Sequence, residues 1–242
     1  MRKLYDVHCH LIPGVDDGSG NLEESIRAIE EEYRQGVGTI ICTSHISGED
    51  TGEQGEKIRQ QFQRLCEALG KTAFGRDMKL YLGNEVFYSD TALELLKEGS
   101  ANTMAGSQYV LVEFSPSVEY RVMYRGMRNL LTSGFLPILA HMERYECLAK
   151  EERLRELEEA GIYLQVNAAT IKAGMFDQAA NRVKKLVKQG RIHFLGTDTH
   201  GMSYRPPKIA DAARWIERHC GEEIACRMLY EHPQAVIDDL EI

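Results

Sequence analysis

Short β-branched apolar runs alternate along this chain with longer charged segments whose apolar positions return at helical spacing. The short runs cover residues 4–8, 39–44, 80–85, 109–114, 136–141, 162–167 and 192–198. Each is too short for a stable helix and rich in Val, Ile, Leu or Tyr, so seven strands are predicted. The charged segments at 22–35, 55–69, 91–97, 120–133, 151–160, 178–188, 208–219 and 223–230 each carry an apolar face and read as helices. Gly36, Gly70, Gly134, Gly161 and Gly190 stand just past helical segments, where a chain commonly turns through the left-handed conformation. Strands that are apolar along their whole length need cover on both faces, and regular strand–helix alternation supplies it in a parallel sheet wrapped by helices. Seven such units fit a closed but irregular α/β barrel better than an open sheet. No linker-like run, low-complexity stretch or internal repeat interrupts the pattern, so residues 1–242 are expected to form one domain.

Composition narrows the partners. With 43% hydrophobic and 27% charged residues, 242 residues suffice for one full-sized core. Thirty-seven acidic residues against 29 basic ones give a formal charge of −8, and a phosphate backbone would be repelled, which argues against nucleic acid as a main partner. No apolar run approaches the roughly 18 residues of a membrane span. The opening Met1-Arg2-Lys3-Leu4-Tyr5 leads into Asp6 instead of a secretory apolar core, so a cytoplasmic location is expected. Six scattered cysteines without a C-x-x-C pair read as reduced thiols. The exposed faces of the long charged helices are compatible with solvent or with an oligomer interface.

Residues able to bind metal fall at the C-terminal ends of the predicted strands. The first strand ends in His8-Cys9-His10, with Asp16-Asp17 just beyond; the second ends at His45, the third at Glu85 and the fourth at Glu113. The fifth ends at His141 and the seventh at Asp198-Thr199-His200, while the sixth offers only Asn167. In a parallel barrel these ends converge on one face, where active sites of such folds are built. His8 and His10, two apart on a strand, point to one side and Cys9 to the other. Imidazole and carboxylate ligands without thiolates suit Zn, Mn or Fe. Nine ligands, His8, His10, Asp17, His45, Glu85, Glu113, His141, Asp198 and His200, are too many for one ion, and three divalent ions would share them naturally. With four carboxylates such a cluster keeps about two positive charges and attracts a phosphate dianion. A single His or Glu at a strand end is usually a hydrogen-bonded structural residue, but accidents at this many strand ends on one face are far rarer. His193, His219 and His232 fit the structural reading, and Asp16 and Asp17 can also form a turn with Gly18.

These residues carry a resemblance. Asp6-Val7-His8-Cys9-His10, Val15-Asp16-Asp17-Gly18, Thr43-Ser44-His45, Gly83-Asn84-Glu85, Val112-Glu113-Phe114, Ala140-His141-Met142-Glu143-Arg144-Tyr145 and Thr197-Asp198-Thr199-His200 resemble the polymerase and histidinol phosphatase (PHP) superfamily. Within it the chain is similar to bacterial manganese-dependent protein tyrosine phosphatases of capsule and exopolysaccharide operons, the CpsB/CapC/YwqE type. Each motif is short, but their order along essentially the whole chain is specific. The resemblance implies a distorted seven-stranded, TIM-like (β/α) barrel with three divalent ions, manganese expected and iron or zinc also compatible. It implies a first ion on His8, His10, Glu85 and Asp198, a second on Glu85, Glu113 and His141, and a third on Asp17, His45 and His200. Arg144 and Arg205 match the family's substrate-phosphate arginines; a planar guanidinium can hold two phosphate oxygens at once. The chain departs from these relatives after His45, where Ile46-Ser47-Gly48-Glu49-Asp50 replaces a basic stretch.

The implied reaction is direct hydrolysis of phosphotyrosine by a water bridging two ions, with a tyrosine kinase of exopolysaccharide or capsule synthesis as the expected phosphoprotein. A small-molecule phosphatase of the same superfamily, histidinol phosphatase included, is the alternative, and a non-catalytic binding module a third reading. Cys147 through Arg153 matches the C-x5-R spacing of cysteine-based tyrosine phosphatases. That segment lacks glycine and carries Glu151 and Glu152, which would repel both thiolate and phosphate, so the match is read as accidental.

Overall fold

Seven strands, β1 (Leu4–Cys9), β2 (Val37–Ile46), β3 (Lys79–Phe87), β4 (Tyr109–Glu113), β5 (Leu136–Leu139), β6 (Tyr163–Asn167) and β7 (Phe194–Gly196), pair in sequence order, every pair parallel. They are seen in a computed structural model that describes residues 2–50, 52–174 and 176–242. The sheet curls back on itself past β7: Cys9 bridges Thr199, the Asp198 N–H donates to the His8 carbonyl and the His10 N–H to the Thr199 carbonyl, each at 2.8 Å. The expected α/β barrel is therefore present, distorted and nearly closed.

Period-two alternation explains both cores. Val7, Ile41, Leu111, Ile138, Tyr163 and Phe194 meet inside the barrel. Their neighbours Ile40, Val110, Val112, Leu139, Leu164 and Leu195 pack outward under the helices. Those helices are α1 (Leu22–Arg34), α2 (Gly52–Leu69), α3 (Asp90–Lys97), α4 (Tyr120–Thr132), α5 (Glu151–Glu159), α6 (Ala168–Lys172), α7 (Gln178–Lys188), α8 (Ala210–His219), α9 (Glu222–Cys226) and α10 (His232–Ile237). Asn21, Ser89 and Asp177 cap α1, α3 and α7 by accepting from the third residue on. The chain end seals the far mouth of the barrel. Val236 of α10 joins the inner core, and the hydroxyls of Tyr109 and Tyr163 donate to the carbonyls of Leu240 and Ile242.

Several expectations change in detail. The final helix, expected at 223–230, runs on to Ile237 through a wider π turn at Arg227–Glu231, just before Pro233, which has no N–H to give the ladder. The short α6 was not anticipated. Gly36, Gly134, Gly161 and Gly190 have φ of 93°, 87°, 80° and 70°, as expected of helix-ending glycines. Gly70 is absent from the left-handed residues; there the chain winds on, Lys71 donating to Ala68 and Thr72 to Leu69. The fifth and seventh strands stop short of their polar ends, at Leu139 and Gly196, because His141 and Asp198 take left-handed conformations with φ of 31° and 54°. His193 precedes β7 instead of lying inside it.

Candidate metal centre

One extra residue in β1 aims its histidines. Asp6 pairs with Ile40 but Cys9 with Cys42, so three steps along β1 match two along β2, a bulge that resets the alternation. Val7 consequently faces the inner core, while Cys9 packs outward and His8 and His10 meet at the mouth with Nε2 atoms 3.3 Å apart. Unbroken alternation supplies the next ligands: His45 lies opposite Glu85 in the β2–β3 ladder, and Glu113 follows the inward Leu111 by two. His141 and Asp198 reach the centre through their left-handed backbones, strain of a kind that clusters at functional sites.

All nine expected ligands converge. Glu85 Oε2 lies 3.1 Å from His8 Nε2 and 3.2 Å from His10 Nε2, and its Oε1 lies 2.7 Å from His141 Nε2. Glu113 stands 3.1 Å from His45 Nδ1 and 3.5 Å from His141 Nε2. Asp17 Oδ1 is 3.5 Å from both His45 Nε2 and His200 Nε2. Three groups have their ligand atoms within 4.8 Å of one another: His8, His10 and Asp198; His45, Glu85 and Glu113; and His10, Asp17, His45 and His200. Glu85 touches the partners of two expected ions, as a bridge would, while His10 and His45 each fall in two groups.

A second layer, which the sequence reading missed, sets the imidazole tautomers. The buried Gln165 places Oε1 3.1 Å from His8 Nδ1 and accepts the His141 N–H at 2.7 Å. An amide oxygen only accepts, so His8 carries its proton on Nδ1 and leaves Nε2 as a ligand. Asp16 does the same for His10 (3.0 Å) and also accepts the His45 and Gly18 N–H groups. The Asp198 carbonyl does it for His200 at 2.9 Å. Gly18 is required here, since a Cβ would lie 2.1 Å from the His10 carbonyl oxygen. Asp6 ties the strand ends together by accepting from the Thr197 and His8 N–H groups.

Charge is arranged for cations. Burial alone would raise the Glu85 carboxyl, but His8, His10 and His141 hold it well below the usual range. Asp198, despite burial, is likewise held low by His8, His10 and Arg144. Burial opposes charge on His10 and His141, yet Asp16, Asp198 and Glu85 hold His10 well above an ordinary histidine, and Glu113 and Glu85 hold His141 up at about 9. Burial and the adjacent His10 push His200 down to about 4. Buried nitrogen lone pairs abutting one another and carboxylates fit divalent ions of the manganese, iron or zinc kind, which would replace the protons these groups otherwise share.

Arg144 and Arg205 do not make the surface ion pairs that are usual for exposed arginines. Both donate to Asp198 Oδ2, Arg205 at 2.9 Å, while Asp198 Oδ1 faces the histidines. Asn167 adds a third donor to the same oxygen at 2.9 Å and is itself held by Gln165 and Glu143. A cavity of about 370 Å³ opens beside them, with Tyr204 and Lys208 on its wall. A larger cavity of about 580 Å³ lies at the other end of the barrel near Tyr5, Lys79 and Gln234; it holds none of these groups, so donor chemistry and not size locates the site.

Residues set aside in the sequence stay outside. The rings of His193 and His232 lie tilted against each other with centroids 5.8 Å apart, His193 accepting from the Leu164 N–H and His232 bonding the His193 carbonyl. Cys147 lies in a short 3₁₀ turn before α5, where Arg153 donates to its carbonyl and burial pushes its thiol up, the opposite of an activated nucleophile.

Residues 4–238 match the family of capsular polysaccharide synthesis proteins CpsB/CapC. The tyrosine-protein phosphatase CpsB of Streptococcus pneumoniae is 34% identical over 242 residues, covering 98% of this chain and 99% of the relative. The tyrosine-protein phosphatase YwqE of Bacillus subtilis (strain 168) is 27% identical, covering 97% and 91%. A crystal structure from work on YwqE and CpsB, called unique metal-dependent tyrosine phosphatases, superposes with a TM-score of 0.82 at 24% identity, over 98% of this chain and 96% of that one. That likeness extends to the fold.

Proposed function

The chain belongs to the CpsB/CapC family of capsular polysaccharide synthesis, and from that premise we propose that it is a metal-dependent protein tyrosine phosphatase. We take residues 1–242 as one catalytic domain acting in the cytoplasm on phosphotyrosine of a partner tyrosine kinase. The observation that carries the reading is the convergence of eight nitrogen and carboxylate residues in three overlapping groups, with His141 joined to them through Glu85, beside two arginines that share one anchoring oxygen.

His8, His10, Glu85 and Asp198 would hold a first ion, Glu85, Glu113 and His141 a second, and Asp17, His45 and His200 a third. Manganese is the expected metal. Bound divalent ions acidify water and neutralise phosphate charge, which permits direct hydrolysis without a covalent enzyme intermediate. Gln165 and Asp16 engage the Nδ1 atoms of His8 and His10 and aim their Nε2 atoms at the centre, where a bound ion would take the place of a proton. Asp198 holds one edge of each guanidinium, leaving the other N–H groups of Arg144 and Arg205 to bind phosphate oxygens as charge builds on them. The two arginine side chains remain 39% and 36% exposed and Asp17 64%, so the rim is open enough to admit a residue on a flexible peptide. Glu49 and Asp50, on the segment that follows β2, disfavour strongly acidic flanks next to the phosphotyrosine.

The test compares kcat/KM for phosphotyrosine peptides with that for histidinol phosphate at one manganese concentration. The peptides should win, and Arg144→Ala and Arg205→Ala should each lower their turnover by roughly tenfold to a thousandfold. A hundredfold preference for histidinol phosphate would refute the tyrosine phosphatase reading in favour of a small-molecule phosphatase.

A further inference from the structure

Five large apolar side chains are prominently exposed among the described residues, and Tyr204, 75% exposed, alone lines the cavity that holds Arg144 and Arg205. The Arg205 guanidinium carbon sits 5.2 Å from the centre of the Tyr204 ring, so one arginine is shared between the ring and Asp198 Oδ2, which accepts from it. The segment bearing the ring is fixed despite its exposure. The Arg205 carbonyl accepts from the His200 N–H at 3.1 Å and from the Thr199 hydroxyl, and Gly201 turns the chain at φ 108°. The charged and polar groups of the wall suit a phosphate, and Tyr204 is the aromatic surface beside them, with the small Ala169 and Pro206 as the other apolar lining.

We propose that Tyr204 is a specificity-determining residue, a stacking wall for the aromatic ring of an aryl phosphate whose phosphate rests on Arg144 and Arg205. This rests on the phosphatase reading given above and adds to it the group that selects aryl over alkyl esters. An aromatic leaving group lies one ester oxygen from phosphorus, so a phosphate on Arg205 brings that ring beside Tyr204, whose exposed surface away from the guanidinium is free to receive it. Offset aromatic pairs add attraction beyond the area they bury. Serine or threonine phosphate presents no such face.

The experiment uses the full chain loaded with manganese and two non-hydrolysable probes, phenylphosphonate and methylphosphonate, as competitive inhibitors of phosphotyrosine peptide turnover. In Tyr204→Ala the inhibition constant of phenylphosphonate should rise about two- to tenfold, the range of one aromatic pair, while that of methylphosphonate stays fixed. KM for the peptide should rise by a similar factor with kcat unchanged, and Tyr204→Phe should restore both. Equal weakening of the two phosphonates, or a fall confined to kcat, would overturn the assignment by showing that Tyr204 only supports Arg205. Unchanged constants in Tyr204→Ala would overturn it as well while leaving the phosphatase reading intact. A wild-type chain that turns over no phosphotyrosine would overturn both.

Discussion

Gln165 offers the sharpest test of how the site is built, because it touches no phosphate and yet orients two ligands. Its Oε1 is shared by His8 Nδ1 at 3.1 Å and the His141 N–H at 2.7 Å, and the residue is fully buried. Gln165→Leu keeps the approximate volume and removes the amide, leaving two donors without a partner and taking a donor from Asn167 Oδ1 as well, the two donors alone setting a lower bound on the cost while the site stays dry. A buried donor left unpaired costs about 1–3 kcal/mol, so the variant should lose roughly 2–6 kcal/mol of folding stability, less if water enters. The chemistry should suffer separately. Without the acceptor His8 can move its proton to Nε2, and loss of such outer partners weakens metal affinity or activity by about 10- to 100-fold. Gln165→Glu keeps an acceptor oxygen for both donors but sets a second oxygen against Asn167 Oδ1 in place of the amide donor, so it should recover part of the metal affinity. Urea unfolding measures the first effect and manganese titration by calorimetry the second. If Gln165→Leu bound manganese as tightly as the wild type, the tautomer argument would fail, whatever its stability.

Four further outcomes are expected. Chelation should abolish aryl phosphate hydrolysis and added manganese restore it; full turnover in a verified metal-free preparation would contradict the proposed centre. His141→Ala should lower the rate by more than about a hundredfold, measured at saturating metal, since a primary ligand is removed. Cys147→Ser should keep near-normal activity and iodoacetamide should leave the enzyme active; complete loss of turnover with the fold intact by circular dichroism would revive a cysteine route. Burial and the neighbouring His232 depress His193 to about 4, below its unfolded value. Its neutral ring therefore contributes stability in full above about pH 6.5, and that contribution is lost as pH falls towards 4. In His193→Gln, whose side-chain oxygen can still accept from Leu164, the acid slope of urea stability should be shallower than in the wild type; an unchanged slope would show that His193 does not titrate this way.

Much of this molecule is written locally. Alternating apolar runs and charged amphipathic segments are enough to specify strands and helices, because side-chain period and the need for cover on both faces are properties of a single segment. Ligands at the strand ends were legible for the same reason: a His or Glu interrupting an apolar run stands out, and a parallel topology gathers strand ends whatever the details. What the sequence leaves undecided depends on residues far apart. His8 and Gln165 are 157 positions apart, and a glutamine inside the sixth strand run looks like any polar interruption until the barrel closes it onto His8 and His141. Asp16 reads as half of a turn until its carboxylate meets His10 and the His45 N–H. The bulge in β1 is visible only in its pairing with β2, and the left-handed His141 and Asp198 only where closure of the sheet demands them. Sequence alone thus determined the elements and the kinds of ligand, whereas tertiary structure decided which nitrogen each histidine presents, because a proton on an imidazole is placed by a partner that only folding brings within reach.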